Sequence, residues 1–278
     1  MNKIITVLVA FSLTILMLFV FVGKRKTQFV DSTNNVAPMP WVPEDVPEDP
    51  IVKQNTPVAQ QDEKYNRYLA STVKIKNHGI GSGTMIYYDP ETREVYVSSC
   101  GHLWNGIKNY AELKQSPEYC QITVFYADRK LLITPKKYTA RVLFRQFQWG
   151  QDVSLLKFTA DFEPQTFPIA PINYDIKLET TYHSIGCDNS SDPAHYGVEV
   201  IGIEQDMLTT RYNSPRPGRS GGGLLTSDGY YIGICVASSD RTGQGRGRGY
   251  FTQLAAIHKV YAQNGFAGLL SLSPKRFR

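Results

Sequence analysis

Cysteine is scarce in this chain and is arranged without a metal-binding pattern. The 278 residues contain four cysteines, at positions Cys100, Cys120, Cys187 and Cys235. No C-x-x-C or C-x-x-H spacing occurs among them, which excludes the common zinc motifs. Four cysteines are also too few for the disulfide scaffold of a small secreted domain. The sequence is compatible with one or two disulfides and also with buried free thiols. Neither a metal nor a cofactor is predicted.

The chain also lacks a large excess of charge of either sign, and it lacks internal repeats. The formal net charge is only +5, with 20% charged residues, which argues against a dedicated nucleic-acid-binding protein. The single arginine- and glycine-rich tract, 243–249, is one short loop, so no nucleic-acid partner is predicted. The chain also contains no internal repeat, which excludes solenoid architectures.

Long apolar runs are limited to one, at residues 4–22. Its length matches what a helix needs to cross a bilayer. No A-x-A-like cleavage site follows it, so we predict an uncleaved, single-pass anchor in the lipid bilayer within residues 1–28. The basic stretch 24–26 follows the run, and the positive-inside rule then places the rest of the chain in the cytoplasm.

The segment after this anchor is polar and rich in proline. Residues 29–64 show neither a helical nor a strand period, which predicts a flexible linker. The globular domain is predicted over 65–270, followed by a basic tail at 271–278.

Short strand-like runs separated by turn residues fill the predicted domain. Residues 84–88 and 94–99 flank the turn sequence DPETR and predict a hairpin. A second hairpin is predicted in LLTSDGYYIGICVA, with Asp228 and Gly229 at its tip. Many short strands of this kind indicate an all-β barrel or sandwich.

Only the C-terminal end of the domain has a helical period. Leu254, Ile257 and Tyr261 recur at helical spacing, and Gly265 is placed to end the helix.

A serine among glycines is the strongest chemical signal. In RPGRSGGGLL, residues 216–225, four glycines surround Ser220. A serine nucleophile needs a base, a group that orients the base, and donors for the oxyanion formed on attack. In a tight turn the N–H groups of Gly218 and Ser220 can supply those donors.

Two further motifs supply the groups that such a serine needs. His102, in SSCGHLW, follows an alternating strand and is the candidate base. Asp152, in QDVSLLKF, directly precedes an apolar strand. An acid at that position can be half buried, where it fixes the tautomer of the histidine and stabilises its cation.

Together these segments resemble the trypsin/chymotrypsin superfamily. GSGTMI, SSCGHLW, QDVSLLKF and PGRSGGGLLTSDGYYIGICVA are most similar to bacterial HtrA-type (Deg-like) trypsin domains, with histidine, aspartate and serine in the family order. The resemblance implies an all-β fold of two six-stranded antiparallel β-barrels with the active site in the cleft between them. His102 and Asp152 would belong to the first barrel, and Ser220 to the second.

The resemblance also implies a role for each residue. Ser220 would be the nucleophile, His102 the general base and acid, and Asp152 its orienting group. Gly218 and Ser220 would form the oxyanion hole. The residues implied to contact substrate are Val236, Ala237 and Ser238, beside its backbone, and Gly249, near the specificity pocket.

Three features depart from the family pattern. Gly223 stands where a proline is usual. Arg219 stands where digestive members carry an acid that pairs with a freed amino terminus, so that route of activation is not expected. HtrA-type proteins usually continue into a peptide-binding PDZ domain, and we expect that domain to be missing here.

The sequence therefore predicts a membrane-anchored serine endopeptidase that cleaves polypeptide substrates through an acyl-enzyme. The alternative is a catalytically inactive trypsin-fold binding module tethered to the membrane. Anchored relatives with such a linker usually work outside the cytoplasm, so we predict an extracytoplasmic protease domain, in contrast to the charge rule above. The sequence is compatible with a homo-oligomer as well as with a monomer.

Overall fold

The computed structural model describes residues 63–77, 79–104, 119–127, 130–204, 206–240, 246–270 and 272. The predicted anchor, the linker as far as residue 62 and all of the tail except residue 272 lie outside these ranges. Within the described residues, none of the helices has both the length and the apolar character needed to span a bilayer.

Six antiparallel strands close the first barrel in the order β1-β2-β3-β6-β5-β4. These strands are β1 Thr72–Lys76, β2 Ile80–Asp89, β3 Glu94–Ser99, β4 Tyr119–Ala127, β5 Lys130–Gln146 and β6 Val153–Thr159. The alternation in β1 shows which face lines the barrel: Val73 and Ile75 are fully buried inside, whereas Lys76 is exposed. Closure leaves no unpaired strand edge in this barrel.

A second barrel has the same construction, in the order β10-β11-β12-β9-β8-β7. Its strands are β7 Thr180–Cys187, β8 Pro193–Glu204, β9 Met207–Arg211, β10 Gly223–Leu225, β11 Tyr231–Ser238 and β12 Gly249–Gln253. The prediction of two six-stranded antiparallel barrels is thus confirmed.

Both predicted hairpins are present. In the first, Asp89 pairs with Glu94 across the turn that joins β2 to β3. In the second, β10 pairs with β11, and Gly229 at the tip has φ +100°, a backbone conformation that glycine adopts without strain.

The predicted C-terminal helix is confirmed, but it is not the only helix. Helix α2, Leu254–Gln263, buries Leu254, Ile257 and Tyr261 in the core, and Gly265 follows it with φ +83°. Helix α1, Glu63–Ala70, was not predicted from the sequence. It is only eight residues long, and two turns are too short for a helical period to stand out.

One buried apolar cluster spans both barrels, beside a separate cluster that fills the first barrel. Cys100 and Leu155 of the first barrel belong to the same buried cluster as Leu224 and Ile234 of the second. A buried hydrogen bond of 3.0 Å, from the hydroxyl of Tyr231 to Oγ of Ser98, also joins them. The end of β3, the start of β6 and the turn before β10 therefore meet at this junction.

Candidate active site

The pairing of β3 with β6 brings His102 and Asp152 together. Ser99, the last residue of β3, lies opposite Ser154 near the start of β6. When this antiparallel register is continued past the strand ends, the residues just after β3 lie opposite those just before β6. Gly101 and His102 consequently lie beside Asp152, although 50 residues separate His102 from Asp152 in the sequence.

The carboxylate of Asp152 is bonded at both oxygens. Oδ2 lies 2.5 Å from Nδ1 of His102. Oδ1 accepts hydrogen bonds from the backbone N–H groups of Gly101, at 2.6 Å, and His102, at 2.9 Å. The side chain of Asp152 is only 6% exposed, against 26% for that of His102. A buried, fixed carboxylate on Nδ1 leaves Nε2 of the imidazole available to accept a proton.

Nε2 of His102 faces a thiol. Sγ of Cys100 lies 3.7 Å from it, a weak contact between a poor donor and a ring nitrogen. Complete burial raises the pKa of the Cys100 thiol well above its ordinary value, and the nearby Asp152 carboxylate adds to the effect. Cys100 is therefore a neutral neighbour of the imidazole.

Ser220 stands on two consecutive tight turns. Arg219 N–H donates to the carbonyl of Arg216 at 3.1 Å, and Gly222 N–H donates to the carbonyl of Arg219 at 2.8 Å. The third residue of each turn is a glycine with positive φ, +89° at Gly218 and +86° at Gly221. This is the signature of type II turns. At Gly221 a side chain would also collide with the Ser99 hydroxyl and the Ser82 carbonyl.

The turns leave two amide groups without an acceptor. Within the described part of the chain, neither the N–H of Gly218 nor that of Ser220 donates a hydrogen bond. Both residues are partly exposed. Two unpaired backbone N–H groups at one partly exposed turn are suited to binding an oxyanion.

The hydroxyl of Ser220 and the imidazole are not hydrogen-bonded to each other across the described residues. Catalytic hydrogen bonds are often long or misaligned without substrate and tighten when it binds. The structure thus fixes the His102–Asp152 pair and the backbone of the serine turn, while the hydroxyl of Ser220 has no hydrogen-bond partner among the residues that the structure describes.

The residues expected to contact substrate lie along adjacent strands. Val236, Ala237 and Ser238 form the partly exposed end of β11, with a bulge at Val236. Gly249 opens β12 and pairs with Ser238. A side chain at Gly249 would collide with Thr210 and Pro215, so its neighbours close the space around it.

Sequence reasoning missed an aromatic rim beside the histidine. Phe147 is 50% exposed and lies edge-on to His102, with ring centroids 6.3 Å apart. Trp149 lies against Tyr250, with centroids 6.4 Å apart. Both Phe147 and Trp149 belong to the turn between β5 and Asp152, whose sequence FQWGQD contains no periodic signal.

Cys100, His102 and Asp152 offer three metal-ligand atoms within 4.8 Å of one another. Both oxygens of Asp152 are already bonded, and the buried thiol resists ionisation. A metal ion bound here would have to displace the bond between Asp152 and His102. The donor set thus suits a hydrogen-bonded pair better than a metal centre.

The fold matches solved structures of proteases. A serine endoprotease from Yersinia pestis has a TM-score of 0.53 at 19% identity, over 74% of this chain and 66% of that one, just under two thirds of its length. Rv3671c from M. tuberculosis H37Rv, in an inactive form, has a TM-score of 0.53 at 17% identity, over 76% and 94%. Deg5 has a TM-score of 0.52 at 16% identity, over 73% and 96%.

The fold is trypsin-like. The predicted resemblance to trypsin-like, Deg-type domains is confirmed at this level. No protein-family model matches the sequence, and no curated protein is similar to it at a significant level. With identities of 16–19%, the likeness concerns the fold, and an activity has to be argued from the residues of the cleft.

Proposed function

We propose that this protein is a serine endopeptidase with Ser220 as nucleophile, His102 as general base and acid, and Asp152 as the group that orients His102. The N–H groups of Gly218 and Ser220 form its oxyanion hole. Polypeptides are its substrates, and the end of β11 at 236–238 binds their backbone.

The reaction proceeds through an acyl-enzyme. Oγ of Ser220 attacks the scissile carbonyl while its proton passes to Nε2 of His102. Asp152 stabilises the resulting imidazolium, and the two N–H groups stabilise the oxyanion. His102 then returns the proton to the leaving amine as the C–N bond breaks. Water repeats the same sequence on the acyl ester, which releases the second product and restores Ser220.

The observation that carries this proposal is the bond between His102 and Asp152. A buried carboxylate held by two backbone N–H groups and placed on Nδ1 is expensive to desolvate, and such an arrangement is typical of catalytic sites. The glycine-flanked turn of Ser220, at the junction of the barrels, gives further support because it presents a serine next to two N–H groups that are unpaired among the described residues. The proposal requires the Ser220 hydroxyl to turn toward Nε2 when substrate binds.

A fluorophosphonate probe tests the proposal, because it reacts only with an activated serine. We expect the probe to label the purified protein, and Ser220→Ala to abolish labelling without changing the circular dichroism spectrum. Ser227→Ala, which removes an exposed serine from the β10–β11 turn, is the matched control and should label normally. Absence of labelling in the folded wild-type protein would favour the tethered binding module instead.

We further propose that residues 4–22 anchor the protein and that its protease domain faces the outside of the cytoplasmic membrane. The length of the apolar run supports an anchor, whereas the basic residues 24–26 oppose this orientation. A reporter enzyme that is active only outside the cytoplasm, fused after Arg278, should be active. Activity of a cytoplasm-only reporter at the same position would reverse the orientation.

A further inference from the structure

Arg219, the residue before the proposed nucleophile, is completely buried. Its side chain has no exposed surface, and it is among the largest fully buried side chains in the described part of the protein. A guanidinium group stays charged at any physiological pH, so its burial is unfavourable unless it is paired. Arg219 directly precedes Ser220 in the sequence. Its buried charge can therefore influence the geometry of the serine turn.

Among the described residues, the second barrel supplies the partners of the Arg219 side chain. Nε and Nη2 donate to the two carboxylate oxygens of Asp188 at 2.6 and 2.8 Å, a bidentate pair. Nη1 donates to the carbonyl and the hydroxyl of Ser184 at 3.1 and 3.2 Å. The guanidinium carbon lies 4.4 Å from the ring centroid of Tyr196. Asp188 is itself only 5% exposed, so the ion pair is held away from solvent.

The residue after Asp188 contacts the same turn through its backbone. The N–H of Asn189 donates to the carbonyl of Pro217 at 2.5 Å. Asn189 has left-handed backbone angles, φ +47° and ψ +34°, which are uncommon for a residue with a side chain. The short turn Asp188–Ser190 therefore holds the serine loop at two points, the carbonyl of Pro217 and the side chain of Arg219.

This contact fixes the direction of a proposed oxyanion donor. The carbonyl of Pro217 and the N–H of Gly218 belong to one planar peptide group and point in opposite directions. Because Asn189 binds that carbonyl, the N–H of Gly218 must point away from Asn189. The peptide cannot rotate without breaking the bond to Asn189, which the adjacent ion pair keeps in place.

We propose that Arg219 and Asp188 are positioning residues that assemble the oxyanion hole in the absence of substrate. The ion pair fixes the turn Asp188–Ser190, Asn189 fixes the carbonyl of Pro217, and the N–H of Gly218 is thereby directed toward the substrate. The hole is built by an ion pair internal to the second barrel and requires no freed amino terminus. This inference rests on the proposed role of the Ser220 turn.

The double variant Arg219→Met/Asp188→Leu tests the positioning role of this ion pair. Replacing a buried ion pair by apolar residues of similar volume is often tolerated, so the variant should fold. Its matched control is Arg211→Met/Glu199→Leu, which removes another ion pair of the second barrel, of 2.5 Å, away from the serine turn. Should the first double variant fail to fold, Asp188→Asn, which keeps the shape and some of the bonds, takes its place.

Two measurements are made on each variant. We expect the rate of fluorophosphonate labelling at Ser220 to fall about 100-fold in the test variant, as for loss of one oxyanion donor, and to stay within about threefold in the control. Amide hydrogen exchange, measured in the Ser220→Ala background, should show Asn189 protected when the ion pair is present and exchanging freely when it is absent.

The two readouts separate this inference from the proposed function. A folded test variant that labels as fast as wild type, or that keeps Asn189 protected, would overturn the positioning role. If the wild type itself does not label, the proposed function fails. The exchange of Asn189 then still decides whether the ion pair positions the turn.

Discussion

The hydroxyl of Ser82 donates a hydrogen bond of 2.7 Å to the carbonyl of Gly218, although 136 residues separate the two in the sequence. The same hydroxyl accepts a hydrogen bond of 2.7 Å from the N–H of Cys187. The N–H of Ser82 also donates to the carbonyl of Ser220 at 2.7 Å. Strand β2 of the first barrel therefore holds both sides of the serine turn in the second.

Ser82→Ala should lower both stability and reactivity. It leaves the carbonyl of Gly218 and the N–H of Cys187 without their partner, which costs about 1–3 kcal/mol in the free energy of unfolding. Because the peptide between Gly218 and Arg219, next to the proposed oxyanion donors, is then less fixed, we expect fluorophosphonate labelling to slow by roughly tenfold. Urea denaturation and labelling time courses measure the two effects.

Ser71→Ala is the matched control for that variant. Ser71 is equally buried and also donates to a backbone carbonyl, that of Tyr68 at 2.9 Å, but it has no contact with the serine turn. It should destabilise the protein without slowing labelling. Equal labelling rates for the Ser82→Ala and Ser71→Ala proteins would contradict a role for Ser82 in holding the turn.

Asp152→Asn should abolish most of the reactivity while leaving the fold intact. The amide oxygen of Asn can still accept from the N–H groups of Gly101 and His102, as Oδ1 does now. Its NH₂ group then faces Nδ1 of His102, which forces the ring proton onto Nε2, so the imidazole can no longer accept the proton of Ser220. We expect labelling to slow by roughly 10⁴-fold.

Asp161→Asn serves as the control for Asp152→Asn, because Asp161 is an exposed carboxylate bonded to Lys136 and Tyr138. It should label at the wild-type rate. A fully reactive Asp152→Asn protein would show that the orienting acid has been assigned wrongly.

Local sequence was sufficient for the parts of the site that lie at strand ends. His102 follows β3 and Asp152 precedes β6, so strand prediction alone placed each at the mouth of a barrel strand. The glycines around Ser220 likewise predicted a tight turn at that position, and Gly218 and Gly221 have the positive φ that such turns require. These features depend on neighbours within a few residues, which is the range over which sequence patterns carry information.

Contacts between distant segments could not be predicted in the same way. Nothing in β2 marks Ser82 as the partner of Gly218, because a buried serine in a strand has no distinctive pattern. Arg219 stood out as a departure from the family, but its partner Asp188 lies 31 residues earlier in an irregular turn. Such pairs become visible only when the chain is folded, the first between the two barrels and the second within one of them.

His195 should make the protein less stable as the solution becomes acidic. Its ring lies 5.2 Å from that of Tyr68 and its Nε2 lies 2.8 Å from Nδ1 of His183. Burial, followed by the nearby His183 and Arg219, lowers the pKa of His195 to about 3. Between the ordinary histidine pKa of about 6.5 and that value, the unfolded chain binds a proton that the folded chain does not.

The free energy of unfolding should therefore fall as the pH drops from about 6.5 toward 3, by at most about 1.4 kcal/mol per pH unit from this group. Urea denaturation at pH 7 and pH 5 measures the slope. His195→Gln keeps an amide near the position of Nε2 and cannot titrate, so it should reduce the slope. A slope that is identical in this variant would assign the acid sensitivity to other groups.

All four cysteines should be inert in the folded protein. The structure has each of them as a buried free thiol, which settles the alternative left open by the sequence. Burial raises the pKa of Cys120, Cys187 and Cys235 to about 12, and that of Cys100 well above its ordinary value. At pH 8 a thiol with a pKa near 12 is only about 10⁻⁴ ionised, and the thiolate is the reactive form.

A chromogenic disulfide reagent at pH 8 should thus detect almost no thiol in the native protein and four equivalents in denaturant. The variant Ser227→Cys, with one exposed thiol on the β10–β11 turn, should react rapidly with one equivalent and provides the positive control. Reducing agent should leave the melting temperature unchanged, because no disulfide joins the four cysteines. Fewer than four thiols in denaturant, or a melting temperature that falls with reductant, would instead indicate a disulfide.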